Sequence, residues 1–202
     1  MTATTLHLVR HGQTIWHAEN RYTGSSDIEL TAEGEAEAER LARWASTAGP
    51  HAIYSSPLVR ARRTAEPSAR ALGLEVVPHR DLREVDFGRG EGLTRGEMAE
   101  IFPEALETFL RSPAEHPLPS GERGLDAIAR ARPVVDEIVD RHRGASALLV
   151  LHSTVLRLLL CDLLDFEPNR YRSLFPRVVN CAVTTVEVHG SAALLSLNVP
   201  VT

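Results

Sequence analysis

The chain has 202 residues, 43% of them hydrophobic and 24% charged, with a formal net charge of −5. That length is enough for one domain with a real core, and the acidic balance argues against a general nucleic-acid or anionic-membrane surface. All 22 basic residues are arginine, which excludes Schiff-base chemistry at a lysine and leaves any phosphate affinity to a local arginine cluster.

Cys161 and Cys181 lie in apolar runs without metal-ligand spacing and read as buried, reduced thiols. The opening Met1-Thr2-Ala3-Thr4-Thr5 lacks the charged start and apolar middle of a signal peptide. No apolar run is long enough to span a bilayer. A cytoplasmic protein is the expectation.

Taken in order, residues 6–9 form an apolar run that reads as a buried strand. It leads straight into Arg10, His11 and Gly12. Arginine can hold a phosphate oxyanion through two parallel hydrogen bonds. A neutral imidazole can attack phosphorus, and glycine lets backbone approach a ligand closely. A polar loop follows over residues 15–30. Thr31 then caps a helix over about 32–47, with Leu41, Trp44 and Ala48 on its buried face. A strand at about 51–54 ends at Ser56 and Pro57, read as the N-cap and first residue of a helix. That places Arg60 about one turn in, near the helix's positive end, where an anion is favoured. Arg62 and Arg63 fall on other faces and read as solvated or ion-paired.

Residues 75–77 read as a third strand. The loop over 81–94 carries four carboxylates, Asp81, Glu84, Asp86 and Glu91, and spacing alone does not choose among them. The stretch at about 95–123 is insertion-like, with one short helix at 103–111 and then Pro113, Pro117, Pro119 and Gly121, and reads as a substrate-facing lid. A long helix over about 125–142 presents Leu125, Ile128, Val135, Ile138 and Val139 on one face. Residues 147–151 are continuously apolar, as in a central parallel strand. His152 ends that strand and begins a helix running to about 164. The alternating runs 182–188 and 192–197, joined by His189-Gly190, read as a β-hairpin.

This order predicts one domain over 1–202, a three-layer α/β/α sandwich around a mostly parallel, mixed six-stranded sheet. Ligands bind such sheets at the carboxyl ends of the strands. His11, the helix carrying Arg60, and His152 all fall there.

The residues Leu8-Val9-Arg10-His11-Gly12-Gln13-Thr14 and Ser55-Ser56-Pro57-Leu58-Val59-Arg60-Ala61 resemble the histidine phosphatase superfamily, also called phosphoglycerate mutase-like. Leu82-Arg83-Glu84, Phe87-Gly88, Glu91-Gly92-Leu93-Thr94 and His152 fit the same family, as do Gly121-Glu122 and Arg130. The resemblance implies that His11 becomes a phosphohistidine, and that Arg10, Arg60 and His152 clamp the phosphoryl oxygens. It implies that Glu84 acts as general acid and then as general base. Further substrate- or phosphate-binding positions are His17, Thr23, Gly24 and Ser153. No metal or other cofactor is implied, and the expected partner is a small phosphate ester, with a homodimer left open. Three positions depart from the family. His17 stands where asparagine is usual, Ser153 where glycine is usual, and Gly90 where tryptophan is usual. The short, acidic 95–123 stretch points to a phosphomonoester hydrolase. Thr23-Gly24 matches the mutase-like loop, so a mutase is the second expectation. A non-catalytic phospho-ligand binder ranks third, because none of the key side chains is missing.

Overall fold

A computed structural model describes residues 2–202; Met1, part of the stretch read for a signal peptide, lies outside them. Six strands form one sheet in the order β3-β2-β4-β1-β5-β6. The strands β1 (Thr4–Arg10), β2 (Ala52–Ser55), β3 (Val76–Pro78) and β4 (Ser146–Leu151) run parallel, and β5 (Val183–His189) and β6 (Ser191–Val199) add an antiparallel hairpin beside β1. The hairpin turns at Gly190, whose φ of +75° suits glycine.

Central β4 shows why the apolar run is unbroken. Ala147, Leu149 and Leu151 enter one core; Leu148 and Val150 enter the other. The first core lies under α5 (Gly124–Arg141) and α6 (Ser153–Leu163). The second lies under α1 (Ala32–Ala48) and α2 (Val59–Leu72). The sheet is thus covered on both faces, as the sequence predicts.

Several local expectations shift. In α1 the buried stripe is Gly34, Ala38, Leu41, Ala42 and Ala45, and Ala48 is exposed. On its outer face Glu35 and Glu39 pair with Arg63 and Arg70 of α2, so Arg63 is an ion-pair partner. Leu125, expected inside, is 38% exposed at the start of α5. Ser56 is not the N-cap of α2. Its N–H still bonds Val150 across the sheet at 3.1 Å, which keeps the chain extended, and helix begins only after Leu58. The first-turn N–H of Val59 is capped from a distance by Asp27, at 2.7 Å. Arg60 is therefore the second helical residue.

The 95–123 stretch holds two helices, α3 (Arg95–Ile101) and α4 (Pro103–Arg111), and the first was not expected. Thr94 and Glu97 close α3 with a capping box. Met98, Leu106, Phe109, Ala114 and Leu118 all enter the first core. A short helix, α7 (Tyr171–Leu174), was also not expected. No helix among the described residues is long and apolar enough to cross a membrane.

Candidate active site

Residues 11 and 152 lie side by side because β1 and β4 are neighbours in register, Arg10 opposite Leu151. Their ring centroids are 5.1 Å apart, and both residues are buried. The His11 Nδ1 sits 2.7 Å from the Gly12 carbonyl. A carbonyl only accepts, so Nδ1 carries the proton and Nε2 keeps the lone pair. Burial, then the charges of Arg60 and Arg10, hold the His11 pKa well below the usual histidine range. His152 is held low in the same way. Neither of its ring nitrogens has a partner among the described residues. Gly12 permits this placement: a Cβ there would sit 2.6 Å from the Gly34 carbonyl of α1.

Of the two expected arginines Arg60 is buried and Arg10 half-buried, and neither has a carboxylate partner among the described residues. Burial lowers each to about 10, so each remains a cation at neutral pH. The Nη1 of Arg10 donates to the Val178 carbonyl at 2.9 Å. Fully buried Arg60 donates from Nη1 to Ser26 and from Nη2 to Gly24, both at 2.7 Å. Glu91 fixes that loop by accepting from the backbone N–H of Ser25 at 2.6 Å and of Ser26 at 2.8 Å. Gly24 itself does not line the cleft. A Cβ there would lie 2.3 Å from the Val85 carbonyl, so the residue serves close packing beneath the site.

Asn180 Nδ2, which donates to the His11 carbonyl at 2.7 Å, lies 3.3 Å from His17 Nε2. Arg10 Nη2 donates to the same Nε2 at 2.6 Å, because a guanidinium nitrogen can only donate. The other ring nitrogen of His17, Nδ1, lies 3.0 Å from the Thr14 backbone nitrogen and 2.8 Å from the Thr14 hydroxyl. Burial and Arg10 lower the His17 pKa to about 4, so the ring is neutral near pH 7.

The structure separates the four carboxylates that spacing could not. Asp81 pairs with Arg83, Asp86 takes the Gly88 N–H, and Glu91 fixes the Arg60 loop. Only Glu84 is buried in the cleft wall. Its oxygens accept from the N–H groups of Val85 at 2.9 Å and of Thr154 and Val155, at the start of α6, at 2.8 Å. Arg130 secures the Glu84 segment from behind. It donates to the carbonyls of Asp81, Arg83 and Glu84, and pairs with Glu122 through two bonds of 2.7 and 2.8 Å.

Arg10, His11 and Glu84 open onto a cleft of ≈ 210 Å³; Arg60 and His152, fully buried, stand behind its wall. Thr23, Ser153 and His17 line it as expected. No residue of 95–123 lines it; apolar side chains of that stretch pack into the first core. Sequence reasoning missed Arg157, Tyr171 and Arg172 in the wall. Arg157 had a signal, one helical turn after Ser153; Tyr171 and Arg172, on the unexpected α7, had none.

Two buried histidines, one buried and one half-buried arginine, and one buried carboxylate at the strand ends of an α/β sandwich define a site suited to phosphoryl groups. The chain belongs to the histidine phosphatase superfamily (branch 1), whose family model matches residues 6–199. It is 41% identical over 198 residues to the bifunctional protein Rv2228c of Mycobacterium tuberculosis, covering 98% of this chain. It spans about half, 54%, of that relative's length. It is 33% identical over 191 residues to the Escherichia coli protein named probable phosphoglycerate mutase GpmB, covering 95% of this chain and 88% of that protein. The solved mycobacterial glucosyl-3-phosphoglycerate phosphatase superposes with a TM-score of 0.89 at 28% identity, over 96% of this chain and 99% of that one.

Proposed function

We propose that the chain is a phosphomonoester hydrolase working through a phosphohistidine at His11. The observation that carries this is the Nδ1 contact to the Gly12 carbonyl, which leaves an unprotonated Nε2 in a ring that burial keeps neutral. The Nε2 lone pair attacks phosphorus and the bond to the ester oxygen breaks. That oxygen takes a proton from Glu84 and leaves as the alcohol. Glu84, now a carboxylate, takes a proton from water as the water oxygen attacks phosphorus. The N–P bond breaks, its electron pair returns to Nε2, and Glu84 again holds a proton. Arg10, Arg60 and His152 steady the phosphoryl oxygens through both steps, and His17 holds the Arg10 guanidinium in place.

Hydrolysis is favoured over transfer by the likeness to a solved phosphatase, which superposes over 96% of this chain with a TM-score of 0.89. The relative named as a mutase favours the second reading, retention of the phosphoryl group for a new acceptor. Product analysis separates the two. With p-nitrophenyl phosphate and 3-phosphoglycerate, free phosphate is the expected product, and His11→Ala removes its release. Isomerised phosphoglycerate without phosphate release supports the mutase instead.

A further inference from the structure

Arg157 and Arg172 form a second cationic wall of the cleft that the hydrolytic steps above do not use. Among the described residues neither makes an ion pair. Arg21, also in the wall, differs: Glu19 at 2.6 Å and Glu97 at 2.9 Å already neutralise it. Arg172 lies over two aromatic rings, its guanidinium carbon 4.5 Å from the Phe109 centroid and 5.2 Å from that of Tyr171. Its Nη1 is buried without a partner among the described residues. Arg157 lies 5.2 Å from the same Tyr171 ring. Its Nε and Nη2 donate to the Ser153 carbonyl at 2.9 Å and the Ser153 hydroxyl at 2.7 Å, and its Nη1 to the Phe175 carbonyl at 3.4 Å, which together fix its direction.

A buried polar nitrogen without a partner is expensive to keep. Rings stacked against a guanidinium occupy its faces and leave its N–H edge, the edge that meets a planar two-oxygen anion. The phosphoryl oxygens already have Arg10, Arg60 and the histidines. Beyond them the cleft wall presents Arg157, Tyr171 and Arg172 to the alcohol part of the ester.

We propose that Arg172, with Arg157 beside it, forms a carboxylate subsite, so that the substrates are small phosphate esters of hydroxy acids. This rests on the hydrolase reading and adds the chemical class of the leaving group. Ser153, where the sequence departs from the family's glycine, is the residue that orients Arg157. Phe109 gives the 95–123 stretch its link to specificity, because it supports Arg172 from beneath.

The test uses matched pairs that differ in the acid group: 3-phosphoglycerate against glycerol 3-phosphate, and phosphoserine against phosphoethanolamine. In the wild-type protein kcat/KM should favour the acid member by on the order of tenfold or more. In Arg172→Gln that ratio should collapse to near one, with the change carried by KM. Arg157→Gln should reduce it in the same direction and serves if Arg172→Gln does not fold. Equal kcat/KM for both members in the wild type, or a preference that survives both substitutions, overturns the subsite. Calorimetric binding of the same pairs to His11→Ala protein reads the subsite without turnover. If that protein discriminates and His11→Ala/Arg172→Gln does not, the subsite stands even where the wild type hydrolyses nothing. If p-nitrophenyl phosphate is hydrolysed but no acid preference exists in rate or binding, the subsite fails and the hydrolase reading survives.

Discussion

At the scale of single residues, the chemistry depends on keeping imidazoles neutral among arginines. Burial is the larger cause at His11 and at His152, and the neighbouring guanidiniums add to it. For the free protein, protonation of His11 should therefore not limit the reaction near the usual histidine pKa of about 6.5. The acid limb of kcat/KM should fall well below that value when measured with a substrate that does not titrate in the same range. A limb centred near pH 6.5 that His17→Asn leaves in place would show that His11 is not held as described. His17 sits where the family's asparagine is expected. Its Nε2 accepts from Arg10 Nη2 at 2.6 Å, and its Nδ1 lies against Thr14.

At the scale of elements, positions around the cleft are set by contacts distant in sequence. Asp27 caps the first turn of α2, and the loop of Gly24 and Ser26 holds the Arg60 guanidinium. Gly24→Ala forces a methyl against the Val85 carbonyl, 2.3 Å away. Overpacking of this kind costs about 1–3 kcal/mol. Denaturant unfolding should show that loss, and activity should fall with it as Arg60 moves. Gly96→Ala, whose nearest neighbour would be 3.8 Å away in α3, is the control and should be neutral or slightly stabilising. These long-range contacts also explain what the sequence concealed. Ser56 and Pro57 form a strong local helix-start signal, but a sheet hydrogen bond to Val150 overrides it. The choice of Glu84 over Asp81, Asp86 and Glu91 had to come from the family resemblance, since it depends on where α6 begins in space. Local patterns did reveal β1, β4, α1, α5 and the hairpin, because apolar period and turn residues report directly on burial.

At the scale of the whole molecule, the two parallel strand ends bring residues 11 and 152 together, and burial of both histidines links function to stability. Each has a folded pKa below its unfolded value of about 6.5. The unfolded chain then binds protons that the native one refuses, so stability is full above about pH 6.5 and is lost as pH falls below it. Two such groups should cost about 2–3 kcal/mol between pH 7.5 and 5.5, read from urea midpoints. A constant midpoint across that window would mean that neither imidazole is buried in its neutral form. The measurement closest to the centre of this reading is to trap the phosphoryl group itself. Protein turned over with p-nitrophenyl phosphate, quenched in base and peptide-mapped, should carry an acid-labile, base-stable phosphoryl group on His11 that accumulates further in Glu84→Gln. Phosphate release at full rate from His11→Ala, or a phosphoryl group trapped on another residue, would contradict it.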